Sequence, residues 1–479
     1  MAVYRCRVCE EIYDESVEKV PFSELPSDWI CPVCGSPRSA YESIDERGEP
    51  IPGTGSDINT VEEASDNIVR AAEKDLRVNR MLAKRDGGVM DQIHRLAISG
   101  TTEYEPMDTL YSVPKFDDIL ILGAQLDPFP KLRDEEVGIR TVIGKSAKRP
   151  MVMEMPVFVS HMSYGALSSR AKEALAAGSA MARTAIGSGE GGALPREMEQ
   201  AYRYILEYVP NKYSSDKKTL AAADAVEIKI GQGTKPGMGG HLPGVKVTEQ
   251  IAALRGKPVG EDIVSPSRFE EIKSPEDLRS MVDALRSASG GKPVGVKIAA
   301  GHIERDIEFI SRSGCDFITI DGRGGGTASS PKFLKDASSV PTVYALSRAR
   351  RCMDDLKMDQ DLIITGGLRT SKDFAKAIAM GADAVATASA AVMALGCQRY
   401  RICNTGRCPM GVATQDPELE KRLDVEVGAQ RVANFLNGTA EELRNFVRIT
   451  GRDDIHDLSL DDLCTTDSEI SENTGIRHA

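Results

Sequence analysis

The chain has 479 residues, a formal net charge of -12 at pH 7 and 28% charged residues. That length holds two or three domains and a large core, while an acidic balance with no basic block argues against a nucleic-acid-binding surface. No run of about 18 apolar residues is present to span a membrane. Met1-Ala2-Val3-Tyr4-Arg5-Cys6 runs straight into a cysteine without an apolar signal segment, so a cytoplasmic, reducing location is expected.

Residues 1–45 read as a small metal module. Cys6/Cys9 and Cys31/Cys34 are two C-x-x-C pairs, and two such knuckles close a tetrahedral four-thiolate site. A unit this small seldom stays folded without a metal or disulfides. Tyr4, Tyr13, Phe22, Trp29 and Tyr41 supply an aromatic core; Gly35 follows Cys34 as a knuckle turn requires, whereas Glu10 follows Cys9. The run Phe22-Ser23-Glu24-Leu25-Pro26-Ser27-Asp28-Trp29-Ile30-Cys31-Pro32-Val33-Cys34-Gly35 resembles rubredoxin. That resemblance implies a single iron used for one-electron transfer; a structural zinc shares the spacing and is the alternative.

Residues 46–110 read as a connector, opened by Gly48, Pro50, Pro52, Gly53 and Gly55. From Asp57 to Leu96, apolar positions such as Ile68, Ala72, Leu76, Met81 and Leu82 recur at helical spacing, which predicts charged helices serving as a spacer.

From about residue 150, short apolar strands alternate with amphipathic helices. The expected strands are Pro156–Ser160, Arg183–Ser188, Tyr204–Val209, Ala225–Gly231, Pro293–Ala299, Asp316–Asp321, Leu362–Gly366 and Ala384–Ala388, with helices at Ser168–Ala182, Ser274–Ser287, Ile303–Ser313 and Ser371–Met380. Eight alternations predict an α/β fold, a (β/α)8 TIM-type barrel. A doubly wound sheet competes, but no Gly-x-Gly-x-x-Gly opens an early helix.

Chemistry in such barrels sits where strands end. Strand six ends in Asp321-Gly322-Arg323-Gly324-Gly325-Gly326-Thr327 and strand seven in Thr365-Gly366-Gly367-Leu368-Arg369. Glycine backbones approach phosphate oxygens closely, so the pair favours a phosphate-bearing cofactor, with FMN the natural choice beside iron centres. Ser188-Gly189-Glu190-Gly191-Gly192 sets one carboxylate at the end of strand two, and Lys229, Gln232 and Lys235 follow strand four. Cations there can stabilise reduced flavin and grip a substrate carboxylate. Further on, Cys397, Cys403 and Cys408 form a C-x5-C-x4-C array before Pro409-Met410-Gly411-Val412-Ala413-Thr414-Gln415, a thiolate set suited to an iron–sulfur cluster.

Together these residues resemble the FMN-binding synthase domain of glutamate synthase, particularly its compact archaeal-type large subunits. The matching stretches are Pro114-Lys115-Phe116-Asp117-Asp118, Arg140-Thr141-Val142-Ile143-Gly144, Met162-Ser163-Tyr164-Gly165-Ala166-Leu167-Ser168, Gly189-Glu190-Gly191-Gly192, Lys229 through Gly244, Thr365 through Arg369 and Leu395 through Gln415. The resemblance implies an FMN barrel over 111–415, with an iron–sulfur loop at 391–415 and a helical extension at 416–479. It implies a 3Fe–4S cluster on the three cysteines, a 4Fe–4S cluster with a fourth ligand from elsewhere being the alternative. It also implies reduction of 2-iminoglutarate, from 2-oxoglutarate and ammonia, to glutamate. Glu190 corresponds to an active-site glutamate; Lys229, Gln232 and Lys235 to flavin and substrate contacts; Arg255 to a substrate-carboxylate clamp. The flavin-holding set expected from the resemblance is Ser163, Lys229, Gln232, Asp321, Gly325, Gly326, Gly366, Gly367, Arg369 and Thr387.

Departures from the family fall on the substrate side. Met238 replaces an acidic residue and His241 a glutamine, while Ser265-Pro266-Ser267-Arg268-Phe269-Glu270-Glu271 lacks the family's paired histidines. Ser329 and Ser330 lie in an altered glycine mouth. The family's amidotransferase domain is not found, so nitrogen is expected as free ammonia or from a separate glutaminase subunit. An electron-donor subunit and a second copy of the chain are the other candidate partners. Competing readings keep the redox machinery but change the 2-oxo acid or imine, make the chain an N-methylglutamate-forming subunit or a non-catalytic electron-transfer subunit, or leave a zinc-stabilised barrel binding another phosphate ligand.

Overall fold

The structure is a computed structural model describing residues 2–7, 11–18, 20–26, 29–33, 38–45, 51, 93, 96–102, 104 and 113–479. Almost all of the expected connector, including the helical pattern from Asp57 to Leu96, lies outside the described residues, as do Cys9, Cys34, Glu10 and Gly35. The chain divides into two compact units, Met1–Glu105 with Pro331–Phe333, and Pro106–Ser330 with Leu334–Ala479.

In the first unit, strands Val3–Cys6, Ile12–Asp14 and Tyr41–Ile44 form an antiparallel sheet with Val3–Cys6 in the centre. Aromatic rings replace an aliphatic core: Tyr4 stacks on Phe22 at 4.2 Å, and Trp29 meets Tyr41 edge-on at 5.5 Å. Such pairs each add about 0.5–1.5 kcal/mol beyond the area they bury. Cys6 and Cys31 are fully buried among them.

The second unit is built on eight parallel strands in chain order: β1 Val157–Val159, β2 Ala185–Gly187, β3 Arg203–Tyr208, β4 Ala225–Lys229, β5 Val294–Ala299, β6 Phe317–Asp321, β7 Asp361–Thr365 and β8 Ala384–Thr387. They close into a barrel in which β8 pairs with β1 through Thr387 and Val159. Each observed strand overlaps an expected one. Parallel strands are covered on both faces, so they read as near-continuous apolar runs, and every residue of β5, β6 and β7 is buried.

The lower end of the barrel is closed by an antiparallel hairpin, Thr141–Ile143 with Met151–Met153. Ile143, Met151 and Met153 pack with Ala185, Ala225, Phe317 and Ala384, which begin or nearly begin their strands. The Gly144 N–H also donates to Asp361 at the start of β7, at 2.6 Å.

Outside the barrel, Ser168 caps the helix Ser169–Met181 and Asp424 caps the 25-residue helix Val425–Ile449. The two helices pack together; a side chain at Gly178 would strike Val432. The stretch after 416 is not only helical. Its strand Leu463–Thr465 pairs antiparallel with Ile119–Ile121 and parallel with Arg477–His478, so it forms a small sheet with residues near the start of the unit.

Candidate active site

Strand alternation assigns the barrel interior in layers. Ala225 belongs to the lower apolar cluster, so Glu227 and then Lys229, two and four residues on, face the same way toward the mouth. By the same count Ile205 is followed by Glu207, and Phe317 by Thr319 and Asp321. The lower barrel is therefore apolar, the middle charged, and the mouth carries Lys229 and Asp321.

At the mouth, the Glu190 carboxylate on the loop after β2 accepts a hydrogen bond from Lys229 Nζ at the end of β4. Glu190 is 17% exposed and Lys229 8%. Burial pushes the Glu190 carboxyl up, but the ammonium groups of Lys229 and Lys235 outweigh it and hold the group below its usual range. Lys235 is 1% exposed, and its Nζ donates to Ser329 Oγ at 3.0 Å. Burial, aided by Lys229 and opposed by Glu190, brings its pKa down to about 8.

Arg255 closes the helix Glu249–Arg255 and donates from Nη2 to the Tyr164 carbonyl at 2.6 Å. It is buried, lies within electrostatic reach of Glu190, and its Nε has no hydrogen-bond partner among the described residues. Only a bare backbone fits beside it, since a side chain at Gly191 would come within 2.7 Å of Nη2. Lys229, Lys235, Arg255 and Glu190 are thus brought together, three cations against one carboxylate. Gln232 is half-buried and its carbonyl accepts the Lys235 N–H at 2.9 Å. Ser163, after β1, is half-buried in a turn whose carbonyl takes the N–H groups of Ala166 and Leu167.

The glycine mouths after β6 and β7 meet. Gly366 (φ +116°) and Gly367 (φ +89°) lie against Gly322 and Gly324; a side chain at Gly366 would come 2.7 Å from Gly322 N, and one at Gly324 would come 2.5 Å from Gly366 O. Beside them Asp321 is buried, and burial pushes its carboxyl up to about 6 despite Lys297. The two loops thus pack backbone against backbone with no room for side chains, and glycine-rich loops of this kind can aim N–H groups at a phosphate such as that of FMN. Gly325 and Gly326 are part of this mouth, and Thr387 at the end of β8 donates to the Leu368 carbonyl at 2.9 Å. The helix Ser371–Ala379 follows the second of these glycine mouths. Asp373 accepts the N–H groups of Arg369 and Thr370 at 2.9 and 3.2 Å, which closes a capping box at the start of that helix.

The array of Cys397, Cys403 and Cys408 follows the helix Ser389–Leu395. Its backbone is unusual: Arg399 and Arg401 both have φ +57°, a left-handed conformation rare outside glycine. The loop is tied to the segment after β1, since Ser168 Oγ donates to Gly411 O at 2.6 Å and Gln415 Nε2 to Leu167 O at 2.9 Å. All three thiols are unbridged. Burial pushes Cys403 up to about 11, with the sulfurs of Cys397 and Cys408 adding to the effect, so the three sit within electrostatic reach of one another. In the N-terminal unit the Tyr41 hydroxyl donates to Cys31 Sγ at 3.1 Å, the kind of bond a bound thiolate accepts.

One group was not singled out from the sequence. In the middle layer, His161 Nε2 lies 2.9 Å from Glu227 Oε2, and Lys297 Nζ lies 3.3 Å from Glu207 Oε1. Thr319 donates to Glu227 and the Gly189 N–H donates to His161 Nδ1, joining this layer to the Glu190 loop. Burial raises Glu227, but His161 and Lys297 overcome it and bring the carboxyl down to about 2; burial likewise lowers Lys297, but the two glutamates drive it above its usual value. Lys297 supplies positive charge between the two glutamates. Charged residues at alternate positions of otherwise apolar strands were the available signal.

Comparison with known proteins identifies both units. A family model for the conserved region in glutamate synthase matches residues 90–453, and a rubredoxin model matches residues 3–41. A glutamate synthase large subunit-like protein of Rhizobium meliloti is 34% identical over 413 residues, covering 82% of this chain and 93% of that one. An archaeal-type glutamate synthase [NADPH] of Thermotoga neapolitana is 42% identical over 334 residues, covering 68% and 66%. The archaeal glutamate synthase [NADPH] of Methanocaldococcus jannaschii is 42% identical over 311 residues, covering 64% and 61%, so the chain spans less than two thirds of the length of these two archaeal-type relatives. The chain belongs to the glutamate synthase family, as a glutamate-synthase-like oxidoreductase that carries a rubredoxin domain ahead of its barrel.

Proposed function

We propose that this protein reduces 2-iminoglutarate, formed from 2-oxoglutarate and ammonia, to glutamate, with FMN held at the barrel mouth. The observation that carries this reading is the charge of that mouth. Lys229, Lys235 and Arg255 converge on Glu190, a cluster of cations that complements a substrate with two carboxylates. When bound, FMN supplies the hydride to the imine carbon.

The residues then divide the work. Lys235 Nζ and Arg255 Nε and Nη2 hold the carboxylates. Glu190, kept ionised by its neighbours, pairs with the cationic iminium nitrogen, the more electrophilic form, which hydride addition converts to the neutral amine. Lys229 Nζ supplies positive charge for a reduced flavin. Gly324, Gly325, Gly326, Gly366 and Gly367 would hold the phosphate, with Ser163, Gln232, Asp321, Arg369 and Thr387 completing the cofactor site. Electrons would enter at a rubredoxin-type iron on Cys6, Cys9, Cys31 and Cys34 and pass through a 3Fe–4S cluster on Cys397, Cys403 and Cys408. Nitrogen would arrive as ammonia, free or from a separate glutaminase subunit.

Anaerobic protein supplied with a chemical reductant, 2-oxoglutarate and 15N-ammonium is expected to yield 15N-glutamate by NMR. Unchanged 2-oxoglutarate, with flavin and iron cycling normally, would show that the substrate is wrong. A different 2-oxo acid is favoured by one feature: His241, hydrogen-bonded to Asp262 at 2.7 Å, follows Gly240, which lies against Glu190. The same assay with other 2-oxo acids separates the two.

A further inference from the structure

Lys246 is a buried cation whose charged surroundings are sulfur. It is 4% exposed, ends the short turn Gly244–Lys246, and donates from Nζ to the Cys403 carbonyl at 2.6 Å. Gly406 (φ +75°), in the cysteine loop, packs against its stem. Four other buried lysines feel a carboxylate: Lys172 has Glu197 at 2.7 Å, Lys297 has Glu207, and Lys292 and Lys376 lie within reach of Asp224 and Asp373. Among the described residues the charges acting on Lys246 are those of Cys403 and Cys408.

An ammonium taken out of water costs several kcal/mol unless an anion compensates it. Three neutral thiols do not. Three thiolates around an iron–sulfide cage do, because such a cluster carries net negative charge. We propose that Lys246 is the counter-ion of the cluster on Cys397, Cys403 and Cys408 and raises its reduction potential. The inference rests on the reading that these cysteines hold a cluster. One-electron reduction adds one negative charge to the cage and breaks no bond, and a fixed positive charge beside it stabilises the reduced form more than the oxidised one.

The test is an EPR-monitored redox titration of the anaerobic full-length protein, with iron, acid-labile sulfide and flavin measured in each sample. K246R keeps the charge and K246M removes it. K246M is expected to lower the reduced-to-oxidised ratio at fixed potential at least tenfold, a drop of about 59 mV for a one-electron couple, while K246R stays near the parent. A K246M protein without cluster beside a K246R protein that has one also upholds the cation requirement. An unchanged potential in K246M, or loss of cluster from both variants with flavin retained, overturns it. Absence of acid-labile sulfide from the parent protein overturns instead the cluster reading beneath it.

Discussion

Glu190, on the loop after the second barrel strand, accepts a hydrogen bond from Lys229, the last residue of the fourth. The bond crosses the mouth of the barrel and holds the carboxylate ionised where three cations meet. Replacing Glu190 with glutamine keeps the shape and removes the charge. E190Q is expected to lose about 100- to 10,000-fold in kcat, with flavin content and its reduction by dithionite unchanged. Steady-state kinetics beside an anaerobic reduction spectrum checks both halves.

Lys235 gives the site a pH limit. Its ammonium is charged below about pH 8 and neutral above, because burial lowers the value from that of an exposed lysine. Carboxylate binding needs the charged form, so kcat/KM for the oxo acid is expected to fall as pH rises through 8. Substitution by arginine moves that limb upward, since a guanidinium stays protonated. A pH profile of kcat/KM for the parent and K235R measures this.

Arg255 supplies a planar fork that lysine cannot reproduce. Loss of a hydrogen bond to a charged group costs about 1.5–3 kcal/mol, so R255K is expected to raise KM for a dicarboxylate by roughly tenfold to a hundredfold. A monocarboxylic 2-oxo acid should lose less, which a comparison of the two substrates reads directly.

Below the mouth, the paired charges of Lys297 and Glu207 are fully buried. Removing one partner of such a pair typically costs about 3–5 kcal/mol, whereas removing both with apolar replacements of similar size costs much less. K297M alone and E207L alone are each expected to destabilise the barrel strongly, and the double variant to recover part of the loss. Denaturant melts of the three proteins form the cycle.

Much of the barrel was legible because its strands are apolar runs bounded by glycine, and each expected strand, Pro156–Ser160 through Ala384–Ala388, overlaps an observed one. The glycine mouths at 322–326 and 366–367 were legible for the same local reason. Contacts between distant segments were not. Leu463 pairs with Ile121 across most of the chain, and neither short strand announces its partner. His161, Glu207, Glu227 and Lys297 meet only because barrel closure brings four separate segments to one level.

The most direct measurement is rapid mixing of fully reduced, anaerobic protein with 2-oxoglutarate and ammonium, following flavin reoxidation and counting product. The account predicts reoxidation that requires both reagents and forms one glutamate for every two electrons lost. Reduced flavin that persists with both present, in protein whose iron, sulfide and FMN are complete, would contradict it.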